Sequence, residues 1–190
     1  MEQTNTNGKA NRRFDTRNLV IMGMFTALLC VMAQISIPTQ PIPFTLSLFA
    51  IFLTGALLPP RYAFLSVLSY VLLGTFGLPV FADYKGGPQI ITGMTGGFIV
   101  AYPIMAFVTA LANRYRKNLR TVALSFGMLL SLVICYLLGS FWFTVVSGKS
   151  FSFALSVCVY PFILFDCIKI ALAVFVSHMI RATVFRIYSF

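Results

Sequence analysis

Asp166 and Lys169 are the residues whose type and spacing most suggest chemistry. They are the charged side chains in an otherwise apolar run from Phe151 to Ile180, with His178 near its end, in a chain holding only 4 acidic residues. At i and i+3 they share one face of a helix. Charges inside a membrane are costly, so they face a cavity or the interior of a bundle. Counting about 1.5 Å per residue back from Arg181 puts Asp166 roughly 22 Å from the helix end. Two readings fit: a ligand-binding pair, one accepting and one donating, or a structural ion pair tying this helix to its neighbours. His178, at the opposite end, reads as an interfacial side chain.

Two connecting segments carry further chemistry. Ser36-Ile-Pro-Thr-Gln-Pro-Ile-Pro-Phe44 has three prolines and no charge. It should be rigid and extended, either lying over a cavity or serving as a stiff connector. The segment Gly77–Gly97 has six glycines and two prolines among 21 residues. Glycines permit positive φ and close backbone approach to a ligand. Phe81, Asp83, Tyr84 and Lys85 sit among them. The segment is either part of a ligand site or a re-entrant loop against protein or water.

The elements that must position these groups are membrane helices. Of the 190 residues, 59% are hydrophobic and 9% charged, against roughly 25% charged in a soluble domain. A crossing needs about 20 mostly apolar residues. Uncharged runs cover Leu19–Ile37, Phe44–Leu58, Ala63–Ala82, Ile90–Ala112 and Thr121–Val146, and Phe151–Ile180 completes six. Phe44–Leu58 is short and should be tilted or borrow loop residues. Backbone polar groups in lipid need internal partners, which makes the runs helices, and the alternation of a barrel strand is absent. The expected fold is therefore all-α: a polytopic six-transmembrane-helix bundle. Residues 1–18 read as a flexible basic cytoplasmic tail and 19–190 as a single transmembrane domain. A cleavable signal peptide is not expected.

The net charge of +10 is unevenly distributed. If the helices alternate, one side receives Lys9, Arg12, Arg13 and Arg17, then Arg61, then Arg114, Arg116, Lys117 and Arg120, then Arg181 and Arg186. The other side receives only Lys85 and Lys149. This positive-inside asymmetry puts both termini in the cytoplasm. It also argues against nucleic acid as partner, which needs a basic soluble face with a reading element.

Other signals are weaker. Cys30, Cys135, Cys158 and Cys167 fall inside apolar runs without C-x-x-C spacing, so no metal site or disulfide framework is expected. Ser147-Gly-Lys-Ser150 resembles the end of a phosphate loop, but Phe143 occupies the first glycine position, and ATP is not expected to bind there. With one His and no Ser/His/Asp constellation, no catalytic residues and no enzyme activity are expected. Gly23 and Ala27, four apart on the first helix, would let another helix approach closely, within the chain or from a partner.

The succession Pro43-Phe-Thr-Leu46, Thr54-Gly-Ala-Leu-Leu-Pro-Pro-Arg61, Tyr70-x-x-x-Gly-x-x-Gly-Leu-Pro-Val-Phe-Ala82, Gly86-Gly87, Gly93-Met-Thr-Gly-Gly-Phe98 and Tyr160-Pro-Phe-x-x-x-Asp166-x-x-Lys169 resembles the BioY family. These are the biotin-specific substrate-binding (S) components of energy-coupling factor (ECF) transporters. The resemblance runs from about Asn18 to Ile180. It departs at Met94, Ser47 and Pro59, where the family commonly has Pro, Gln and Gly.

The resemblance implies a six-helix S component in a prokaryotic cell membrane, with an outward-opening vitamin site beneath lid loops. Asp166 would accept a ureido N–H of biotin and Lys169 would donate to a ligand oxygen. Thr45, Ser47, Pro79, Phe81, Asp83, Lys85, Gly93, Thr95, Gly96 and Gly97 would complete the site. Either Lys85 or the loop amides would meet the biotin carboxylate. The implied partners are an ECF transmembrane coupling subunit and two cytoplasmic ATPases, which alone use ATP, so no cofactor is expected here. Gly23 and Ala27 are the candidate docking face. The alternatives are an S component for another small vitamin, or a solitary biotin carrier acting without ATPases.

Overall fold

The structure is a computed structural model that describes residues 16–39, 42–113 and 120–187. It is mostly helical, in chain order α1 (Thr16–Gln34), β1 (Ser36–Ile37), β2 (Phe44–Thr45), α2 (Ser47–Leu57), α3 (Pro60–Thr75), α4 (Pro88–Thr92), α5 (Gly96–Ala112), α6 (Arg120–Ser147), α7 (Phe151–Cys158) and α8 (Ile163–Ile187). Three helices are long and apolar enough to cross a bilayer, over Thr16–Gln34, Thr121–Ser147 and Ile163–Arg181, and α2 and α5 are shorter apolar helices. The chain is thus a multi-pass membrane protein. Residues 1–15 of the basic tail and the cluster at 114–119 lie outside the described residues, and α1 begins at Thr16, inside the span assigned to the tail.

α2 is the hub. Apolar all round, it is suited to the centre of a bundle, and it packs against α1, α3, α5 and α8. Ala50, Ile51, Phe52 and Ala56 are fully buried. At about 1.5 Å per residue its 11 residues fall short of a roughly 30 Å hydrocarbon layer. The deficit is harmless because protein rather than lipid surrounds it. Gly55 permits a close approach to α5: a Cβ there would stand 2.7 Å from Thr109 Cβ and 2.8 Å from the Ala106 carbonyl.

Polar seams join other pairs. Thr26 of α1 donates to the Met22 or Ser66 carbonyl, each 2.9 Å away, and Ser66 of α3 donates back to Met22 at 3.0 Å. Thr109 of α5 meets Ser131 of α6 at 3.1 Å. Such bonds bind helices where lipid removes the hydrophobic drive to associate.

At one end of the bundle, Asn113 Nδ2 (2.7 Å) and Arg181 both donate to the Ala56 carbonyl, Asn18 donates to Tyr62 at 3.2 Å, and Thr121 meets His178 at 2.9 Å. The start of α1 and the end of α8 are therefore at the same end. The proline-rich and glycine-rich segments gather at the other.

Three runs end differently from their hydropathy. The third stops at Thr75. Gly77, at φ +100°, donates to the Gly74 carbonyl at 3.1 Å while Leu78 donates to Leu73 at 3.2 Å. This is a Schellman stop, with Pro79 following as it commonly does. The fourth begins only at Gly96, after the one-turn α4 and an extended Gly93. The sixth is two helices. Pro161 lacks an N–H and would clash with the preceding turn, so 159–162 form turns whose bonds run from Phe162 and Ile163 to the Val159 carbonyl at 2.9 and 3.1 Å. The proline-rich segment is not merely extended. Ser36 pairs with Thr45 and Ile37 with Phe44, closing a short antiparallel hairpin.

Candidate functional site

The break at Pro161 puts Asp166 in the first turn of α8, where the helix dipole favours a carboxylate. Asp166 and Lys169 are 3% and 5% exposed, so both are buried charges that need partners. Lys169 Nζ donates to Asp166 Oδ1 at 2.8 Å, and the Tyr136 hydroxyl of α6 donates to Oδ2 at 2.5 Å. Lys169 also lies 3.9 Å from the centroid of the Phe44 ring, a cation–π contact. Phe44 stacks on Phe162 at 6.1 Å and meets Phe165 edge-on at 5.1 Å, which pins the hairpin to α8.

The glycine-rich segment is pinned to α3 and α1. Phe81 is 3% exposed and meets Tyr70 edge-on at 5.6 Å. Its ring fills the space left by Gly74, where a Cβ would collide with it. Gln34, the last residue of α1, donates through Nε2 to the Pro79 and Phe81 carbonyls at 3.2 and 3.1 Å and accepts the Tyr84 N–H at 3.0 Å. Ser36 of the hairpin donates to Asp83 at 2.8 Å, joining the proline-rich and glycine-rich segments. The Ser36 hydroxyl, with Lys85 beside it, holds the Asp83 carboxyl below its ordinary value. Asp83 and Tyr84 both sit at positive φ, 59° and 56°.

Between these segments and the bundle lie two adjoining cavities. The larger, about 160 Å³, is lined by Ser47, Tyr70, Phe81, Lys85, Ile90, Thr95 and Ile99 among others. The smaller, about 50 Å³, holds Asp166, Lys169, Tyr136, Phe44, Cys135, Cys158 and Phe162. Ile42, Pro43, Thr45, Phe98 and Tyr102 line both and form the wall between them. Thr45 donates to Ser47 at 2.9 Å within that wall. A mostly apolar hollow with few, fixed polar groups is the usual form of a small-molecule site. Among the described residues, no three His, Cys, Asp or Glu side chains converge as metal ligands.

Of the residues singled out from the sequence, Thr45, Ser47, Phe81, Lys85 and Thr95 line the larger cavity, and Thr45, Asp166 and Lys169 the smaller. Pro79, Asp83, Gly93, Gly96 and Gly97 line neither. The Gly93 carbonyl accepts Trp142 Nε1 at 3.0 Å, Gly96 lies against the Ile91 carbonyl, and Gly97 lies against the Trp142 side chain. These glycines let the turn close against α4 and α6. Gly23 and Ala27 are exposed on the outer face of α1, and a Cβ at Gly23 would meet nothing within 4 Å. Packing inside the chain therefore does not explain this pair.

Sequence reasoning missed Phe44, Tyr70, Phe98, Tyr102 and Tyr136. One signal was available for the tyrosines. A Tyr belongs at a membrane surface, so Tyr70, Tyr102 and Tyr136 inside apolar runs each needed a buried polar partner.

The same residues can be set beside known proteins. The "Biotin transporter BioY" of Thermotoga maritima is 41% identical over 167 residues, covering 87% of this chain and 96% of that protein. The "Probable biotin transporter BioY" of Pyrococcus horikoshii is 37% identical over 165 residues, with the same two coverages, 87% and 96%. A solved structure described as the S-component for biotin from an ECF-type ABC transporter superposes with a TM-score of 0.75 at 25% identity, covering 88% of this chain and 92% of that one. Residues 4–186 match the BioY family, and the chain belongs to that family.

Proposed function

We propose that this protein is the biotin-binding S component of an ECF-type ABC transporter, capturing biotin from outside the cell for ATP-driven uptake. The observation that carries the reading is the buried Asp166–Lys169–Tyr136 group at the bottom of a divided apolar hollow beneath two cross-linked outer segments. A rigid ureido head needs both a donor and an acceptor in a dry pocket, and this group holds both. The names of the relatives support biotin as the ligand.

In this reading the chain makes six membrane passes in the cell membrane of a prokaryote. α7 and α8 together form the last pass, and both termini are cytoplasmic. The uneven basic residues support that orientation. The coupling subunit would dock on the face bearing Gly23 and Ala27, and two cytoplasmic ATPases would supply the energy. This chain itself needs no cofactor.

The test is a binding panel on purified protein with biotin, thiamine and riboflavin. Saturable binding of biotin well ahead of the others is expected, and preference for another vitamin would overturn the ligand. In vesicles, concentrative uptake is expected only with the coupling subunit and ATPases present. Accumulation by this chain alone would make it a solitary carrier.

A further inference from the structure

Phe98 and Thr95 reach the hollow from the start of α5, and a residue that lines neither cavity fixes that start. Phe98 belongs to the wall between the two cavities, and Thr95 to the lining of the larger. Thr95 is also the N-cap of α5, yet its hydroxyl caps no N–H of the helix. Within the turn, Gly96 N–H donates to the Gly93 carbonyl at 3.1 Å and Phe98 N–H to the Thr95 carbonyl at 3.2 Å. Trp142 of α6 supplies the lateral anchor, its Nε1 donating to the same Gly93 carbonyl at 3.0 Å. Among the described residues it is the one side chain that hydrogen-bonds residues 93–97.

Two glycines set the register of α5 on α6. A Cβ at Gly97 would collide with the Trp142 side chain, and a Cβ at Gly139 would collide with the Phe98 ring. Each helix thus offers a notch to an aromatic side chain of the other. The notches are neighbours, since 97 adjoins 98 and residues three apart, such as 139 and 142, share a helix face. Filled notches leave no room for sliding. Trp142 is 37% exposed and Phe98 only 7%, so one side chain belongs to the surface and the other to the site.

We infer that Trp142 is a positioning residue: it locks the first turn of α5 against α6 and so sets Phe98 and Thr95 for the ligand without touching it. This rests on the vitamin-capture reading above and adds a residue outside the hollow on which binding depends. Neither cavity, at about 160 and 50 Å³, reaches the roughly 300 Å³ at which small-molecule pockets usually begin. A ligand that occupies both must therefore shift the wall, and a shift of Phe98 carries the turn and the indole bonded to it.

Trp142 is the sole tryptophan of the chain, so its fluorescence reports on the turn. Saturating biotin is expected to change the emission of wild-type protein. In Trp142→Phe/Phe141→Trp the indole sits at an exposed neighbouring position, and its emission should ignore biotin. Trp142→Phe keeps a ring in the notch but no donor, and should weaken biotin binding about fivefold, as for one hydrogen bond. Trp142→Ala empties the notch as well and should weaken it about tenfold or more. Amide exchange at residues 96–99 should rise in both single variants, and melting temperature tracks folding separately. If wild-type protein binds no biotin, the vitamin reading fails and this role falls with it. If wild-type protein binds and both single variants bind as tightly, whatever their melting temperatures, the positioning role alone fails. Unchanged exchange at 96–99, or an equal emission change from the indole at 141, would also overturn it.

Discussion

Tyr136 and Lys169 grip opposite oxygens of the Asp166 carboxylate, at 2.5 and 2.8 Å, so that a tyrosine thirty residues away completes a pair lying within one helical turn. The buried charges are thereby satisfied without solvent. The same groups offer a fixed acceptor and a fixed donor to anything entering the smaller cavity.

Asp166→Asn and Lys169→Met should each weaken biotin binding about tenfold to a hundredfold, the range for a hydrogen bond to a charged group. Each also leaves one buried charge without its counterpart, which costs about 3–5 kcal/mol. The double variant should regain thermal stability but not binding. Measuring melting temperature and affinity on all three separates the two roles. Normal binding by the stable double variant would make the pair purely structural.

Gln34 acts as the peg of the glycine-rich segment. Its three hydrogen bonds hold backbone in which Asp83 and Tyr84 occupy the left-handed region, at about 1–2 kcal/mol for each residue carrying a Cβ. Gln34→Leu should raise amide exchange across residues 79–87 at least tenfold and speed biotin release. Unchanged exchange there would mean that Phe81 anchors the segment by itself.

The Ser36–Asp83 bond should respond to acid in a defined direction. Since Ser36, and then Lys85, lower the Asp83 pKa in the folded protein, this bond contributes fully above the ordinary carboxyl value of about 3.9. It is lost as pH falls through the lowered folded value. Amide exchange at residues 83–87, corrected for its intrinsic rate, should stay flat from about pH 5 to 8 and rise only below about pH 4. Asp83→Asn, a residue that also tolerates positive φ, should remove the acid step. A transition between pH 6 and 7 would implicate another group.

The exposed Gly23 and Ala27 give a prediction about partners. Gly23→Trp and Ala27→Trp should leave biotin binding by the isolated chain intact, because neither side chain would enter the bundle. In vesicles holding the full complex they should abolish ATP-dependent uptake. Uptake that survives both would move the docking face elsewhere on the surface.

The sequence alone determined the membrane class, the uneven distribution of basic residues, and that Asp166 and Lys169 are charges sharing one face of an apolar helix. These follow from composition and from periodicity along one chain: a charge in an apolar run is visible without knowing its neighbours. The stop at Gly77-Leu78-Pro79 and the break at Pro161 were also legible, since each is local backbone chemistry that hydropathy overrode. What only the tertiary structure decided is lateral. Nearly uniform apolarity gives a membrane helix no strong polar face, so nothing in spacing tells which side of α6 turns toward α8. Tyr136 on Asp166, Phe44 over Lys169 and the wall of Thr45, Phe98 and Tyr102 all depend on that rotation. So does the packing of Gly96 and Gly97, which the family resemblance implied for the ligand site and which lie against Ile91 and Trp142.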